Sequence, residues 1–184
     1  LSAQNKFKVE QKETETWRSL YSLIDEKNNL ISSKELIANG PLAICFYRDL
    51  VTLLQRGLEA LQTIYDAVTD LGANLLALSP SRPEFARQIV KKNNLSIPVL
   101  CDQNNAIADK FRLVFTVPDN LREIYLSFGI DLERHNADPS WTLPMPARYL
   151  IGKDGVIIDA DISVDHTTRS EPADLLKKLE EINP

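Results

Sequence analysis

The sequence predicts an α/β fold with a central mixed β-sheet and helices on both of its faces. Two apolar runs, Leu42 to Tyr47 and Leu75 to Leu78, have the pattern of buried strands, and an amphipathic stretch lies between them. Such a strand-helix-strand unit makes its two strands parallel, with a right-handed crossover. A hairpin and a closing helix supply antiparallel strands and cover the sheet. We therefore place one domain at residues 39–184, behind an N-terminal extension with helices at 1–38.

The extension is predicted to end in two helices. Its first dozen residues are polar and are expected to pack loosely or fray. Apolar residues recur at helical spacing over 17–24 and predict the first helix. Ser32 or Ser33 can cap a second, short helix that ends at Gly40.

The helix between the two buried strands is predicted from its apolar face. That face consists of Leu54, Leu58, Leu61, Tyr65, Val68 and Leu71. Gly72 then ends the helix. After the second strand, Ser81 and Glu84 form a capping-box pattern that predicts another helix, which runs to Lys91 and Lys92.

The second half of the chain is predicted to contribute shorter elements. They are a strand at 97–100, a helix around Ile107 and Phe111, a helix from Leu121 to Phe128, an antiparallel hairpin of 149–151 with 156–158, and a final helix that starts near Pro172.

Composition restricts the class of protein. The 184 residues are 43% hydrophobic and 26% charged, which suits one packed domain. The net charge of −5 and the lack of a basic stripe argue against nucleic-acid binding. No apolar run approaches the roughly 18 to 20 residues that a membrane span needs, so we expect a soluble protein. Two cysteines are too few for a secreted disulfide framework, and this favours the cytoplasm.

The segment from residue 41 to residue 62 is the most informative part of the sequence. It joins the first buried strand, which ends in Phe46-Tyr47-Arg48, to an amphipathic helix. This join resembles the peroxiredoxin-like family of alkyl hydroperoxide reductase and thiol-specific antioxidant (AhpC/TSA) type, in which Phe-Tyr-Arg leads into a Trp-Cys-Pro-x-Cys active site. The resemblance extends over roughly residues 40 to 180, with further matching stretches at 135–141 and 143–147.

The resemblance implies a thioredoxin-like fold of the peroxiredoxin type, with the Met145-Pro146 bond in the position of the cis proline beside the active site. Counting forward from Phe46 places the peroxidatic cysteine at Thr52, and counting back from Leu58 places it at Val51. Neither residue is a cysteine. A threonine hydroxyl has no accessible ionised form near neutral pH without a dedicated base, so Thr52 cannot replace the thiol.

A pocket is expected around these positions, which would be remnants of the active site. Arg48 and Arg148 can supply positive charge, and the aromatic rings of Tyr47 and Trp141 can line the pocket together with Pro146. We predict no metal ion and no cofactor, since His135 and His166 each lack a second ligand at metal-binding spacing. His135 is expected to hold a loop. The acids Asp159, Asp161 and Asp165 are expected to form a solvated strand edge.

Two functional hypotheses follow. The first is a family member that has lost thiol-peroxidase activity and retains the fold for binding or assembly, for example as a homodimer. The second is an antioxidant oxidoreductase that uses Cys45 or Cys101 in an unconventional way. Cys45 lies within an apolar strand, where a cysteine behaves as a small hydrophobic residue. The sequence alone does not decide whether Cys45 and Cys101 form a disulfide bond.

Overall fold

The computed structural model describes residues 21–48, 52–162 and 171–182, and gives the backbone alone for 52–56. The strands are β1 (Ser22–Asp25), β2 (Leu30–Ser32), β3 (Leu42–Phe46), β4 (Asn74–Ser79), β5 (Val99–Cys101), β6 (Val114–Thr116), β7 (Thr142–Pro144), β8 (Ala147–Ile151) and β9 (Ile157–Ile162). The helices are α1 (Ser33–Asn39), α2 (Thr52–Gln62), α3 (Tyr65–Asp70), α4 (Pro83–Lys92), α5 (Ala106–Lys110), α6 (Asp119–Ser127), α7 (Leu132–Asn136) and α8 (Pro172–Ile182), with a 3₁₀ turn at Gln103–Asn105 before α5.

Seven of the strands in the described ranges form one mixed sheet in the order β2-β1-β5-β4-β3-β8-β9. The three central strands β3, β4 and β5 are parallel, whereas β8 and β9 on one side and β1 and β2 on the other are antiparallel to their neighbours. Strands β6 and β7 pair with each other in a separate two-stranded sheet. The predicted mixed sheet is therefore confirmed.

Strand β3 divides the core into two layers, because successive side chains of a strand point to opposite faces. Ala43, Cys45 and Tyr47 belong to the apolar cluster that includes side chains of α2, α3, α4 and α8. Leu42, Ile44 and Phe46 belong to the cluster on the other face, which includes side chains of α1 and α5. Helices on both faces follow from this pattern, as predicted.

Gly40 allows α1 and the start of β3 to lie against the turn before β4. A Cβ atom at Gly40 would stand 1.9 Å from the backbone oxygen of Gly72, so no other residue fits. The close approach brings Asn74 within hydrogen-bonding distance of both segments. Its backbone N–H donates to Pro41 O at 2.8 Å, and its side-chain amide donates to Leu36 O at 2.8 Å.

The predicted first helix is wrong where the structure describes it, because Ser22–Asp25 form strand β1; residues 17–20 lie outside the described ranges. Strand β1 pairs with both β2 and β5, and these long-range hydrogen bonds override the local helical spacing. The carboxylate of Asp25 closes the turn that follows by accepting hydrogen bonds from the backbone N–H groups of Lys27 and Asn29.

Two smaller predictions also need correction. The helix predicted from 54 to 71 is two helices, because α2 ends at Gln62 and α3 begins at Tyr65. Between them, the hydroxyl of Thr63 donates to Ala60 O at 2.6 Å. The capping box is wrong because the hydroxyl of Ser81 lies 3.0 Å from that of Ser79, and α4 begins at Pro83 without a side-chain cap. The other predicted elements are confirmed to within a few residues, and the sequence did not predict β2, β6, β7 or α7.

Among the residues that the structure describes, none of the helices has the length and apolar character that a bilayer crossing requires.

Candidate functional site

The candidate site lies where β3 ends and α2 begins. Beyond the last residue of β3, the backbone N–H of Tyr47 donates to Leu78 O at 2.9 Å and extends the pairing with β4. Helix α2 then begins at Thr52, so one of the two predicted remnant positions is the first residue of a helix. The other, Val51, lies outside the described residues. A helix that begins beyond a buried parallel strand directs its unpaired backbone N–H groups toward the strand ends.

A row of three side chains crosses the sheet beside this junction. Cys45 on β3 is the partner of Arg148 on β8, and Arg148 is the partner of Asp161 on β9. Paired residues place their side chains on the same face of a sheet. The guanidinium nitrogen Nη2 of Arg148 lies 3.9 Å from Oδ2 of Asp161, and Nη1 donates to Glu171 O at 3.4 Å. A thiol, a cation and a carboxylate therefore adjoin one another.

These side chains line a cavity of about 220 Å³ between the sheet and the helices α2 and α8. Cys45 of β3 and Arg148 of β8 belong to its wall, together with Tyr47 directly after β3 and Pro146 directly before β8. The apolar wall opposite comes from Leu58 and Leu61 of α2 and from Pro172 of α8, and Asp161 and Glu171 add oxygen atoms. The cavity is thus mostly apolar with one ion pair, which is the usual composition of a small-molecule site.

The predicted pocket residues separate into two groups. Tyr47, Pro146 and Arg148 lie together in the wall of this cavity. Arg48 and Trp141 lie elsewhere: the guanidinium of Arg48 is 5.5 Å from the ring centroid of Phe115. Trp141 is 8% exposed and packs in a third apolar cluster with Leu143. The alternation of side chains continued from β3 explains the position of Arg48, because it follows Tyr47 and is directed to the other face of the sheet.

The predicted cis bond between Met145 and Pro146 is wrong, since the described residues contain no cis peptide bond. Strand β7 ends at Pro144, the backbone N–H of Met145 donates to Leu113 O at 2.8 Å, and β8 begins at Ala147. The Met145-Pro146 bond is trans, which is the form that X-Pro bonds prefer by about 0.5–1 kcal/mol.

The two cysteines form no disulfide bond, and the sheet explains why. Cys45 on β3 is paired with Ala77 on β4, whereas Cys101 on β5 is paired with Ser79. Strand β4 lies between β3 and β5, so the two Cα atoms are at least two strand spacings of about 4.8 Å apart. This distance of about 9.6 Å exceeds the roughly 7 Å limit between the Cα atoms of bridged cysteines. Cys101 is 1% exposed and Cys45 is 6% exposed.

The histidine and the acids have structural contacts. His135 stacks on Phe85 with ring centroids 4.3 Å apart, and its Nδ1 lies 2.7 Å from Asp131 O, so it connects α7 to α4. The expected solvated edge is wrong for Asp161, whose side chain is only 15% exposed. The side chain of Asp159 is 27% exposed on the edge strand β9 and pairs with Lys178 at 2.5 Å. Asp165 and His166 lie outside the described ranges. No group of three or more potential metal ligands occurs within those ranges.

Sequence reasoning missed Asp161 and Glu171 as part of the site. The available signal was the hairpin register: once β8 and β9 are aligned with Arg148 opposite Asp161, the two charges meet on the inner face. The predicted hairpin of 149–151 with 156–158 would place Arg148 opposite Asp159. The observed loop is one residue longer, and a β-bulge between Leu150 and Ile151 shifts the register by one more residue.

Parallel central strands joined by helices, an antiparallel hairpin of β8 and β9 beside β3, and a closing helix are the arrangement of the thioredoxin-like class of α/β proteins. Solved structures of this class match the chain closely in shape. Peroxidoxin BcpB from Mycobacterium tuberculosis superposes with a TM-score of 0.73 at 14% identity, covering 93% of this chain and 97% of that one. AhpC from Enterococcus faecalis superposes with a TM-score of 0.67 at 15% identity, over 89% and 87% of the two chains. At these identities the likeness concerns the fold.

The AhpC/TSA family profile matches residues 6–160, and the chain belongs to this family. No curated protein sequence matches it significantly.

Proposed function

We propose that this member of the AhpC/TSA family does not reduce peroxides by the family's thiol mechanism, and that its cavity binds a small, largely apolar ligand. One observation carries the proposal. The chain has two cysteines, and both lie within central strands of the sheet, whereas Thr52 begins helix α2. A peroxidatic cysteine must be reached by peroxide and held as a thiolate, which the first turn of a helix favours and the middle of a sheet does not.

The cavity supports the second half of the proposal. Its volume of about 220 Å³ exceeds that of an apolar cavity of about 150 Å³ that admits benzene. The side chains of Leu58 and Leu61 offer apolar contact, and the ion pair of Arg148 with Asp161 offers polar contact. A ligand of six to ten non-hydrogen atoms suits this combination.

The test of lost activity is a peroxidase assay on the purified chain. Hydrogen peroxide and cumene hydroperoxide are supplied with dithiothreitol as reductant, and peroxide consumption is followed. The control is the double variant Cys45→Ser, Cys101→Ser. We expect equal rates for the two proteins, and a wild-type rate clearly above the control would refute the proposal.

A second candidate function, thiol-dependent antioxidant activity through Cys45, is favoured by one observation: Cys45 lines the cavity and is the cross-strand partner of Arg148. The thiol would reduce a hydroperoxide to an alcohol or water and become a sulfenic acid. Cys101 is one strand too far to form a disulfide with it, so an external thiol would have to regenerate Cys45. The single variants Cys45→Ser and Cys101→Ser distinguish this reading, since only the first would abolish consumption.

We further infer a cytoplasmic homodimer without nucleic-acid or membrane partners. The low cysteine content supports the compartment, because two cysteines, both in buried strands, do not provide the disulfide framework of a secreted domain. The surface of α6 supports the second copy, because Leu121 and Ile124 of the helix and Phe128 directly after it form an exposed apolar row. A two-fold interface uses the same patch on both copies, so an exposed apolar row is buried by packing against its own symmetry mate.

A further inference from the structure

The cavity between β3, β8 and α2 has a polar end made by Arg148 and Asp161. The distance from Nη2 of Arg148 to Oδ2 of Asp161 is 3.9 Å, which is longer than the 2.7–3.2 Å of a direct hydrogen bond. Nη2 is buried and has no hydrogen-bond partner among the described residues. Because a buried donor without an acceptor is costly, this end of the cavity suits a group that accepts from Arg148.

One oxygen atom can contact both charged groups. An atom at about 2.8 Å from each would bridge a donor and an acceptor that are 3.9 Å apart. A hydroxyl group does this with one oxygen, since it accepts through a lone pair and donates through its proton. A hydrocarbon offers neither function.

The paired charges also select against anions. A carboxylate would be attracted by Arg148 and repelled by Asp161, which lies on the same face of the neighbouring strand. The two effects oppose each other while the carboxylate still loses its hydration on entering an apolar cavity. A neutral ligand loses far less.

We propose that the cavity recognises small neutral molecules with an apolar body and one hydroxyl group, the hydroxyl bridging Arg148 and Asp161. The apolar body then lies against Leu58, Leu61 and Pro172. This inference rests on the proposed ligand-binding function and specifies its ligand class.

The test compares three probes that share one ring: toluene, benzyl alcohol and benzoate. Their dissociation constants for the full chain are measured by isothermal titration calorimetry. We expect benzyl alcohol to bind at least about tenfold more tightly than either of the others, which corresponds to about 1.4 kcal/mol. Equal binding of toluene would overturn hydroxyl recognition and leave ligand binding intact. Tightest binding of benzoate would overturn the neutral class. Failure of all three to bind at millimolar concentration would refute both this inference and the proposed binding function.

Variants test the roles of the two charges. Asp161→Asn leaves Arg148 without its opposing carboxylate, and we expect benzoate affinity to rise at least about tenfold, by the same conversion as above. Asp159→Asn is the matched control, because Asp159 lies two residues away on β9 and pairs with Lys178. Arg148→Met should abolish the preference for benzyl alcohol over toluene. An Asp161→Asn protein with unchanged benzoate affinity, or an Asp159→Asn protein with the same gain, would contradict the assignment.

Discussion

Cys45 on β3 and Arg148 on β8 are direct partners across an antiparallel strand pair. Side chains at such positions have Cβ atoms about 4.5–5.5 Å apart on the same face, so the thiol and the guanidinium stem lie side by side. The chain thus keeps a cation and a thiol near the end of β3, while the first turn of α2, where the family resemblance places the peroxidatic cysteine, begins with Thr52. The remaining thiol therefore lies on β3, whereas the helix start that would favour a thiolate carries a threonine.

A thiol returned to the start of α2 should be reactive. We expect Thr52→Cys, or Val51→Cys if the alignment is one residue shorter, to titrate at least about one pKa unit below the free cysteine value of about 8.5. The reason is that the first N–H groups of a helix and its dipole favour a thiolate. The measurement is the pH dependence of alkylation in a Cys45→Ser, Cys101→Ser background.

Leu42→Cys in the same background is the control, because Leu42 is fully buried in β3. It should remain unmodified in the native protein. If neither helix-start variant reacts faster than an unstructured thiol, the site has lost its electrostatics as well as its nucleophile, and the retained Phe-Tyr-Arg segment serves packing alone.

Three aromatic rings hold the second layer of the core together. Phe111 lies 5.2 Å from Phe46 and 4.7 Å from Tyr149, measured between ring centroids. We expect Phe111→Ala to lower the free energy of unfolding by about 3–5 kcal/mol, through lost burial and the cavity left behind. Urea denaturation measures the change. Leu30→Ala, at a side chain that is 69% exposed, is the control and should cost less than about 0.5 kcal/mol.

Asp102 should make stability depend on pH. Its carboxylate is 2% exposed and accepts hydrogen bonds from Ile107 and Ala108, both at 2.8 Å. Burial raises the pKa of Asp102 above its usual value of 3.8, against the opposing effect of these hydrogen bonds. The folded chain therefore holds the proton to higher pH than the unfolded chain. Stability should fall as pH rises from 3.8 through the raised pKa, and it should be level above it.

The check is urea unfolding between pH 3 and pH 8 for the wild type and for Asp102→Asn. The variant should lack this decrease. It should also be less stable at neutral pH by about 1–3 kcal/mol, because an amide nitrogen would face the N–H of Ala108. Asp66→Asn, which changes an exposed acid of α3, is the control. An identical pH profile for wild type and Asp102→Asn would remove Asp102 as the cause.

The exposed row on α6 should mediate self-association. Phe128 is 76% exposed and Ile124 is 46% exposed, and no residue of α6 is buried. We expect Phe128→Glu to convert a dimer into a monomer in sedimentation velocity, because two introduced carboxylates would meet at a two-fold interface. Leu30→Glu, at an exposed apolar residue of β2, should leave the dimer intact. A wild-type chain that is monomeric at high concentration would refute the interface.

Local patterns predicted the parts of the fold that depend on neighbouring residues in the chain. The apolar run from Leu42 to Tyr47 predicted a buried strand, and the apolar spacing of residues 172–179 predicted an amphipathic helix; both are present. Prediction failed where distant pairing decided the outcome. Residues 22–25 have helical spacing, yet they form β1 because β5 and β2 complete their hydrogen bonds.

The sequence by itself determined the family resemblance, the absence of cysteine at residues 51 and 52, and three residues, Tyr47, Pro146 and Arg148, that line the cavity. Only the tertiary structure decided that Arg48 and Trp141 lie elsewhere, that the two cysteines are one strand apart, and that Asp161 faces Arg148. The physical reason is the same in each case. Residue type and spacing fix which face of a strand a side chain occupies, whereas strand order and register, set by hydrogen bonds between distant segments, fix its neighbours.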